Sequence, residues 1–149
     1  MQISIERDPT ALDLPLPSYA THGSAGLDLR AALETDLVLL PGERVQISTG
    51  IRIALPDNCE AQVRPRSGLA LKHGLMILNS PGTIDSDYRN TLCVLVINLG
   101  QEPVTLRRGD RIAQLVVAPV LKIRWEEVSE NSLPQTKRGE GGFGSTGVR

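Results

Sequence analysis

Residues Asn79 to Asn90 read NSPGTIDSDYRN and lie between two apolar runs, Leu75-Met76-Ile77-Leu78 and Leu92-Cys93-Val94-Leu95-Val96-Ile97. Turn formers between two such runs predict the tip of a β-hairpin whose flanking strands are buried. Pro81-Gly82 supplies the turn, proline by presetting φ and glycine by accepting a positive φ. Past it come Ile84-Asp85-Ser86-Asp87-Tyr88-Arg89, which set two carboxylates and a phenol beside a rigid bend. A carboxylate held there can orient and deprotonate a water molecule. A polar hairpin with a turn-capping aspartate accounts for the same residues.

Outward from this hairpin, the strand signals repeat. Leu92 to Ile97 is apolar on both faces and Ile112 to Ala118 nearly so, which calls for cover on both sides, from a second sheet or another subunit. In Val45 to Leu55 the odd-numbered residues Val45, Ile47, Thr49, Ile51, Ile53 and Leu55 face one way and the even-numbered ones the other. Leu37 to Leu40, the Pro41-Gly42 turn and this run read as strand, tight turn, strand. Gln2 to Glu6 reads as a first strand, and the prolines from Pro9 to Pro17 exclude a helix there. With no long amphipathic helix, and turn signals every 8 to 12 residues or so, the class is an all-β sandwich or jelly roll.

Composition narrows the function. The 149 residues suit one domain that needs no disulfide or metal to fold. Cys59 and Cys93 form no framework, and Cys93 reads as a small buried hydrophobe. The start, MQISIERDPT, has neither a basic nor an apolar signal region, and no run approaches the roughly 20 apolar residues that span a bilayer. A soluble, reduced, cytoplasmic protein with no membrane partner is expected. A net charge of -1 argues against a general nucleic-acid binder. All basic residues except Lys72, Lys122 and Lys137 are arginine, which suits local, bidentate phosphate contacts. The aromatics are Tyr19, Tyr88, Trp125 and Phe143, so the core is aliphatic.

Four further stretches carry chemistry. In Ala25-Gly26-Leu27-Asp28-Leu29-Arg30, Asp28 is either an acceptor for an arginine or a metal-bound water, or a strand-end residue. Pro65-Arg66-Ser67-Gly68-Leu69-Ala70 precedes a possible short helix, whose free N–H groups favour an anion; a capped turn with a surface arginine is the plainer reading. Arg107-Arg108-Gly109-Asp110-Arg111 is a charged turn, most simply an ion-pair cluster, and Gln114 then interrupts an apolar strand. After a linker from Asn131 to Lys137, glycines frame Phe143 between Arg138 and Thr146. Formally this contains G-x-G-x-x-G, but no βαβ unit surrounds it. A disordered tail is the default for such composition, while glycine-rich backbone can also form an anion-binding nest under a flexible lid.

Taken together, these stretches resemble the homotrimeric dUTPase family. Ala25 to Leu29, Pro65 to Ala70, Asn79 to Arg89, Gly109 to Gln114 and Arg138 to Gly147 are similar to its five motifs, in the family's order. One departure is Asn90-Thr91, where the family usually has Gly-Glu. The resemblance implies a jelly-roll-like distorted β-barrel, residues 1–130, with 131–149 as linker and glycine-rich lid, assembled as a trimer with shared active sites. It implies hydrolysis of dUTP to dUMP and pyrophosphate, limiting uracil in DNA and supplying dUMP for thymidylate synthesis. Uracil would lie in the hairpin against Asn79, Gly82, Thr83 and Ile84, and Tyr88 would pack under the deoxyribose. Arg66, Ser67, Gly68 and Gln114 would hold phosphates. Arg138, Phe143, Gly144, Ser145 and Thr146 would close over the ligand, Phe143 on the base.

Asp85 would activate water for attack on the α-phosphorus, with Asp28 and Asp110 in support. Mg²⁺ would ride on the triphosphate and waters, with Asp28 beyond its first ligands. The rival readings are a dCTP deaminase of related fold and a non-catalytic nucleotide sensor. The Phe143 tail and uracil-type hairpin oppose the first, and Asp85 the second. A P-loop NTPase is excluded, since G-x-x-x-x-G-K-[ST] is absent.

Overall fold

The alternation of apolar and polar residues is realised as eleven antiparallel strands in a computed structural model that describes residues 1–130 and 132–142. Strand β6 (Cys59–Arg64) pairs with β11 (Arg111–Pro119) on one side and with β8 (Gly82–Ile84) on the other. Strand β2 (Leu27–Arg30) extends this sheet beyond β11. A second sheet has β9 (Cys93–Asn98) between β4 (Arg44–Ser48) and β7 (Leu75–Ile77). Two strand pairs complete the architecture: β1 (Ser4–Arg7) with β5 (Ile51–Ala54), and β3 (Leu37–Leu39) with β10 (Val104–Leu106). One aliphatic cluster joins all of these, taking Leu29, Val63 and Leu115 from the first sheet and Ile47, Val94 and Val96 from the second. The fold is all-β, as expected, with a single α-helix among the described residues, α1 (Ser67–His73).

The hairpin expectation holds for the ends and fails for the middle. Strands β7 and β9 pair, with Leu75 opposite Asn98 and Ile77 opposite Val96. Between them, however, the chain crosses to the other sheet to make β8 against β6. Gly82 does not supply a positive φ; it is buried in β8. Its lack of a side chain serves packing, because a Cβ there would lie 3.0 Å from Asn79 Nδ2 and 3.4 Å from Val63 Cβ. The turn is formed earlier, at Leu78 to Pro81, with a cis Ser80–Pro81 bond.

Val45 to Leu55 is likewise two strands, β4 and β5, with a break at Thr49-Gly50. Neither pairs with β3, so the Pro41-Gly42 turn joins elements that part company: β3 goes to β10, β4 to β9 and β5 to β1. The period of two nonetheless survives the break, since Ile47, Thr49, Ile51, Ile53 and Leu55 are all buried. Gly50 makes this possible with φ of +68°, and it leaves no room for a side chain beside Ala11. Ala11 closes a 3-10 turn, Pro9–Ala11, which the proline-rich stretch accommodates because Asp8 caps it and Pro9 stands at its first position. The first strand begins at Ser4 rather than Gln2.

Among the described residues no buried side-chain polar atom lacks a hydrogen-bond partner. Asn98 Nδ2 donates to Leu39 O at 3.0 Å and Glu102 O at 2.9 Å, and its Oδ1 accepts from Gly100 N. The thiol of Cys59 is buried, but Cys93 is half-exposed on the outer face of β9, contrary to expectation. Leu95 and Ile97 share that outer face, so the apolar surface anticipated for this strand is not covered within one chain. No helix among the described residues is long and apolar enough to cross a membrane.

Gly50→Ala should lower stability by roughly 2 to 4 kcal/mol, combining left-handed backbone strain with overpacking against Ala11. Urea unfolding monitored by circular dichroism measures this, and an unchanged midpoint would show that the Thr49-Gly50 break is not needed.

Candidate active site

Strand β6 ends at Arg64, and Pro65 turns the chain so that Arg66 occupies the N-cap of α1 with extended backbone. Arg66 has no side chain that can cap, and the first helical bonds run from Leu69 and Ala70 N–H to Arg66 O. The N–H groups of Ser67 and Gly68 are thus left for an external acceptor. At its other end the helix closes on Gly74, φ +67°, whose N–H donates to Ala70 O.

The Arg66 guanidinium is fixed twice. Its Nε donates to Asp28 Oδ1 at 3.0 Å and its Nη1 to Arg111 O at 2.9 Å. The second oxygen of Asp28 accepts from Arg111 Nη1 at 3.2 Å. Asp28, on β2 and only 21% exposed at its side chain, therefore bridges two arginines. Of its two functional readings, the arginine acceptor is the one realised. Gln114 stands opposite Asp28 on β11, and its Nε2 donates to Pro65 O at 2.9 Å. These groups line a cleft of about 520 Å³ together with Gly26, Arg64, Ser67 and Gly68. It is cationic, polar and rimmed by free N–H groups, a combination suited to a polyphosphate.

The charged turn after β10 is built differently from the expected ion-pair cluster. Asp110 Oδ2 accepts from the backbone N–H of Arg107 at 2.8 Å, so it is a turn-capping residue. The neighbouring arginines pair elsewhere, Arg107 with Asp36 and Arg108 with Asp13. The Arg108 hydrogen bond holds the Asp13 carboxyl below its ordinary value. Arg108 also donates to Thr10 O and Leu33 O, which ties the proline-rich segment to the body.

The hairpin residues form a second, separate cluster. Asn79 packs beside Gly82, Thr83 is exposed on β8, and Ile84 is half-buried. Asp85 follows the strand, exposed, and its carbonyl accepts from Tyr88 N–H at 3.2 Å. Tyr88 Oη donates to Thr91 O, and Arg89 Nη1 folds back onto Ser86 O and Tyr88 O, closing the loop. No residue between Leu75 and Leu92 lines the 520 Å³ cleft. Register explains the separation: Ile84 is opposite Ala61, three residues or roughly 10 Å along β6 from Arg64 at ~3.3 Å per residue, and Asp85 follows Ile84 in the direction away from Arg64.

Arg138 is exposed, with Nε donating to Gly141 O. Phe143, Gly144, Ser145 and Thr146 lie outside the described residues. Gly26, Arg64 and Arg111 are cleft residues that sequence reasoning did not single out. Arg111 had a signal, its place three residues before Gln114 on one strand, but it was absorbed into the supposed ion-pair cluster. Among the described residues no three His, Cys, Asp or Glu side chains converge to hold a metal.

The family model for dUTPase matches residues 13–147. The chain is 54% identical over 148 residues to the deoxyuridine 5'-triphosphate nucleotidohydrolase of Anaplasma marginale, covering 99% of both. It is 56% identical to the Ehrlichia canis protein of the same name, over 91% of this chain and 89% of that one. Among solved structures it is similar to the Staphylococcus bacteriophage 80alpha dUTPase with dUpNHpp, at a TM-score of 0.83 and 25% identity over 99% of each chain. A dUTPase from phage phi11 of S. aureus, described with a structural Mg(II) ion, shares the fold at 21% identity, a TM-score of 0.78, and 89% and 100% coverage. The jelly-roll body, the arginine-lined cleft and the hairpin are thus those of a chain that belongs to the dUTPase family.

Proposed function

We propose that this chain hydrolyses dUTP to dUMP and pyrophosphate, in a homotrimer whose active sites combine the cleft of one subunit with the hairpin of another. The observation that carries this reading is the separation of two complementary half-sites. One has phosphate-binding chemistry without a water-activating carboxylate, and the other has Asp85 in a hairpin whose arginine, Arg89, is folded back onto its own carbonyls. Neither half can act alone on a nucleoside triphosphate.

In the joined site, Arg66, Ser67, Gly68 and Gln114 hold the phosphate chain, and Asp28 keeps Arg66 and Arg111 aimed at it. Uracil enters the hairpin between Asn79 and Ile84, where fixed backbone donors and acceptors reject cytosine. Tyr88 tests the sugar. Asp85 takes a proton from water as the water attacks the α-phosphorus, and pyrophosphate leaves. The tail from Arg138 to Thr146 closes over the ligand.

Mg²⁺ fits this donor set as an ion delivered with the substrate. The one carboxylate in the cleft, Asp28, already bridges two arginines, so triphosphate oxygens and water would be its main ligands. When bound it would neutralise phosphate charge. The free cysteines suit a reducing, cytoplasmic setting, and supply of dUMP and removal of dUTP would be its metabolic role.

Assembly is supported by what one chain leaves uncovered. After β11, residues 120–129 carry no regular secondary structure, and Leu121 and Trp125 are 89% and 90% exposed on alternate positions with Ile123. Leu71 on α1 is 88% exposed, and the outer face of β9 is apolar. Such surface is the mark of an interface.

Among dUTP, dCTP, dTTP and UTP, only dUTP should release pyrophosphate efficiently. Ammonia from dCTP would instead identify a deaminase. Asp85→Asn should lower kcat by roughly 10² to 10⁴ while a non-hydrolysable dUTP analogue binds nearly as before. An unchanged kcat would remove Asp85 from the mechanism.

Sharing of sites is tested by mixing two inactive variants, one carrying Asp85→Asn and the other lacking everything after Lys137. If hairpin and tail reach a site from different chains of a closed ring, every mixed trimer has one complete site in three. Random assembly from equal amounts then recovers roughly a quarter of wild-type activity. Parental activity from verified mixed trimers would mean that one chain supplies both.

A further inference from the structure

Gln114 reaches the cleft from β11, where its directly opposed residue on β2 is Asp28. Two positions earlier, on the same face and diagonal to Gln114, is Gly26. A Cβ on Gly26 would lie well inside contact distance of Gln114 Oε1 and 3.2 Å from both Cβ and Cδ of that side chain. On its other side the carboxamide is held by the Pro65 carbonyl, 2.9 Å from Nε2. The amide is thus gripped between the bare backbone of Gly26 and the residue that turns β6 into α1. One Nε2 proton goes to Pro65, and the second is left for a ligand in the cleft.

Gly26 is not needed for its backbone freedom, since its φ is not positive. It differs also from Gly74 and Gly100, where a Cβ would meet backbone atoms. At Gly26 the closest obstructing atom is the carboxamide end of a flexible side chain, while the Cβ of Gln114, at 3.2 Å, needs to give by only a few tenths of an ångström. A methyl group would therefore be accommodated by swinging Gln114 away, at the expense of its aim rather than of the fold.

We propose that Gly26 is a positioning residue for phosphate binding, and that its missing side chain is what holds the Gln114 carboxamide toward the ligand. This rests on the reading of Gln114 as a phosphate ligand. Replacing Gly26 has the consequence of deleting Gln114's contact while leaving Gln114 in the chain.

The test compares Gly26→Ala, Gln114→Ala and the double variant in the full-length assembled protein. Two readouts are taken: kcat/KM for dUTP, and the nitrogen-15 side-chain amide signal of Gln114, assigned by its loss in Gln114→Ala. Gly26→Ala should melt cooperatively and shift that amide signal. Its kcat/KM should fall by roughly 10- to 100-fold, the value of one hydrogen bond to a charged group. The double variant should be no worse than Gln114→Ala alone, because the two changes remove the same contact.

An unmoved amide signal, or losses that multiply in the double variant, overturns the proposal. If Gln114→Ala itself keeps wild-type kcat/KM, the reading of Gln114 as a phosphate ligand fails, and the positioning role for Gly26 falls with it. An impaired Gln114→Ala beside a fully active Gly26→Ala sinks the proposal alone.

Discussion

The bridge from Asp28 to Arg66 and Arg111 is the interaction on which the arginine-lined cleft depends. It joins three elements distant in sequence: β2, the start of α1 and β11. Two guanidinium groups brought this close repel each other, and each would relax into solvent if unconstrained. An ionised carboxylate offers only acceptors, and Asp28 gives one oxygen to each arginine. The cluster retains a net positive charge, and both arginines line the cleft. Orientation is settled before a ligand arrives, which is the condition for strong electrostatic stabilisation of a reacting phosphate. Removing one member of such a partly buried cluster leaves the others uncompensated, so Asp28 matters more than its modest exposure suggests.

The same sheet that builds the cleft keeps it from the hairpin. Strand β6 carries Arg64 at one end and pairs antiparallel with β8 from Val63, opposite Gly82, to Ala61, opposite Ile84, so β8 runs away from the Arg64 end toward Asp85. A paired strand cannot fold back within its own length, and so the order of residues along β6 fixes the distance between Asp85 and Arg66. Flexibility of the hairpin loop does not bridge it, since Arg89 clamps that loop onto its own carbonyls. In the proposed trimer, two halves fixed apart in each chain would meet between chains.

Much of this was legible in the sequence where the signal was local. The Pro65-Arg66-Ser67-Gly68 turn into a short helix, the burial parity from Val45 to Leu55 and the pairing of the strands that flank the hairpin all follow from turn chemistry and period. Strand partners did not follow. Alternation encodes which face of a strand is buried, not which strand lies beside it, so the Pro41-Gly42 turn looked like a hairpin although β3 and β4 diverge. Side-chain partners were hidden for the same reason: Asp110 and its flanking arginines are adjacent in sequence yet bond to residues as distant as Asp13 and Asp36. Gly26 carried no signal at all, because its role depends on a side chain from β11.

In the proposed trimer, assembly and activity would be one property. An extended arm that exposes Leu121, Ile123 and Trp125 gains nothing from order in isolation, since backbone entropy is lost without burial. The same holds for the outer face of β9, whose Cys93, Leu95 and Ile97 stay half-exposed in a single chain. Burying these surfaces against neighbours supplies a hydrophobic driving force that the aliphatic core, nearly free of aromatics, does not exhaust. In the proposed trimer that force also brings one chain's hairpin to the next chain's cleft. A polar, half-empty site is a poor stabiliser of an interface, while the apolar arm and strand faces have no chemistry to perform. The proposed trimer would divide the two tasks, with hydrophobic contacts holding the subunits together and leaving the arginines, Asp85 and Gln114 free to be selected for geometry.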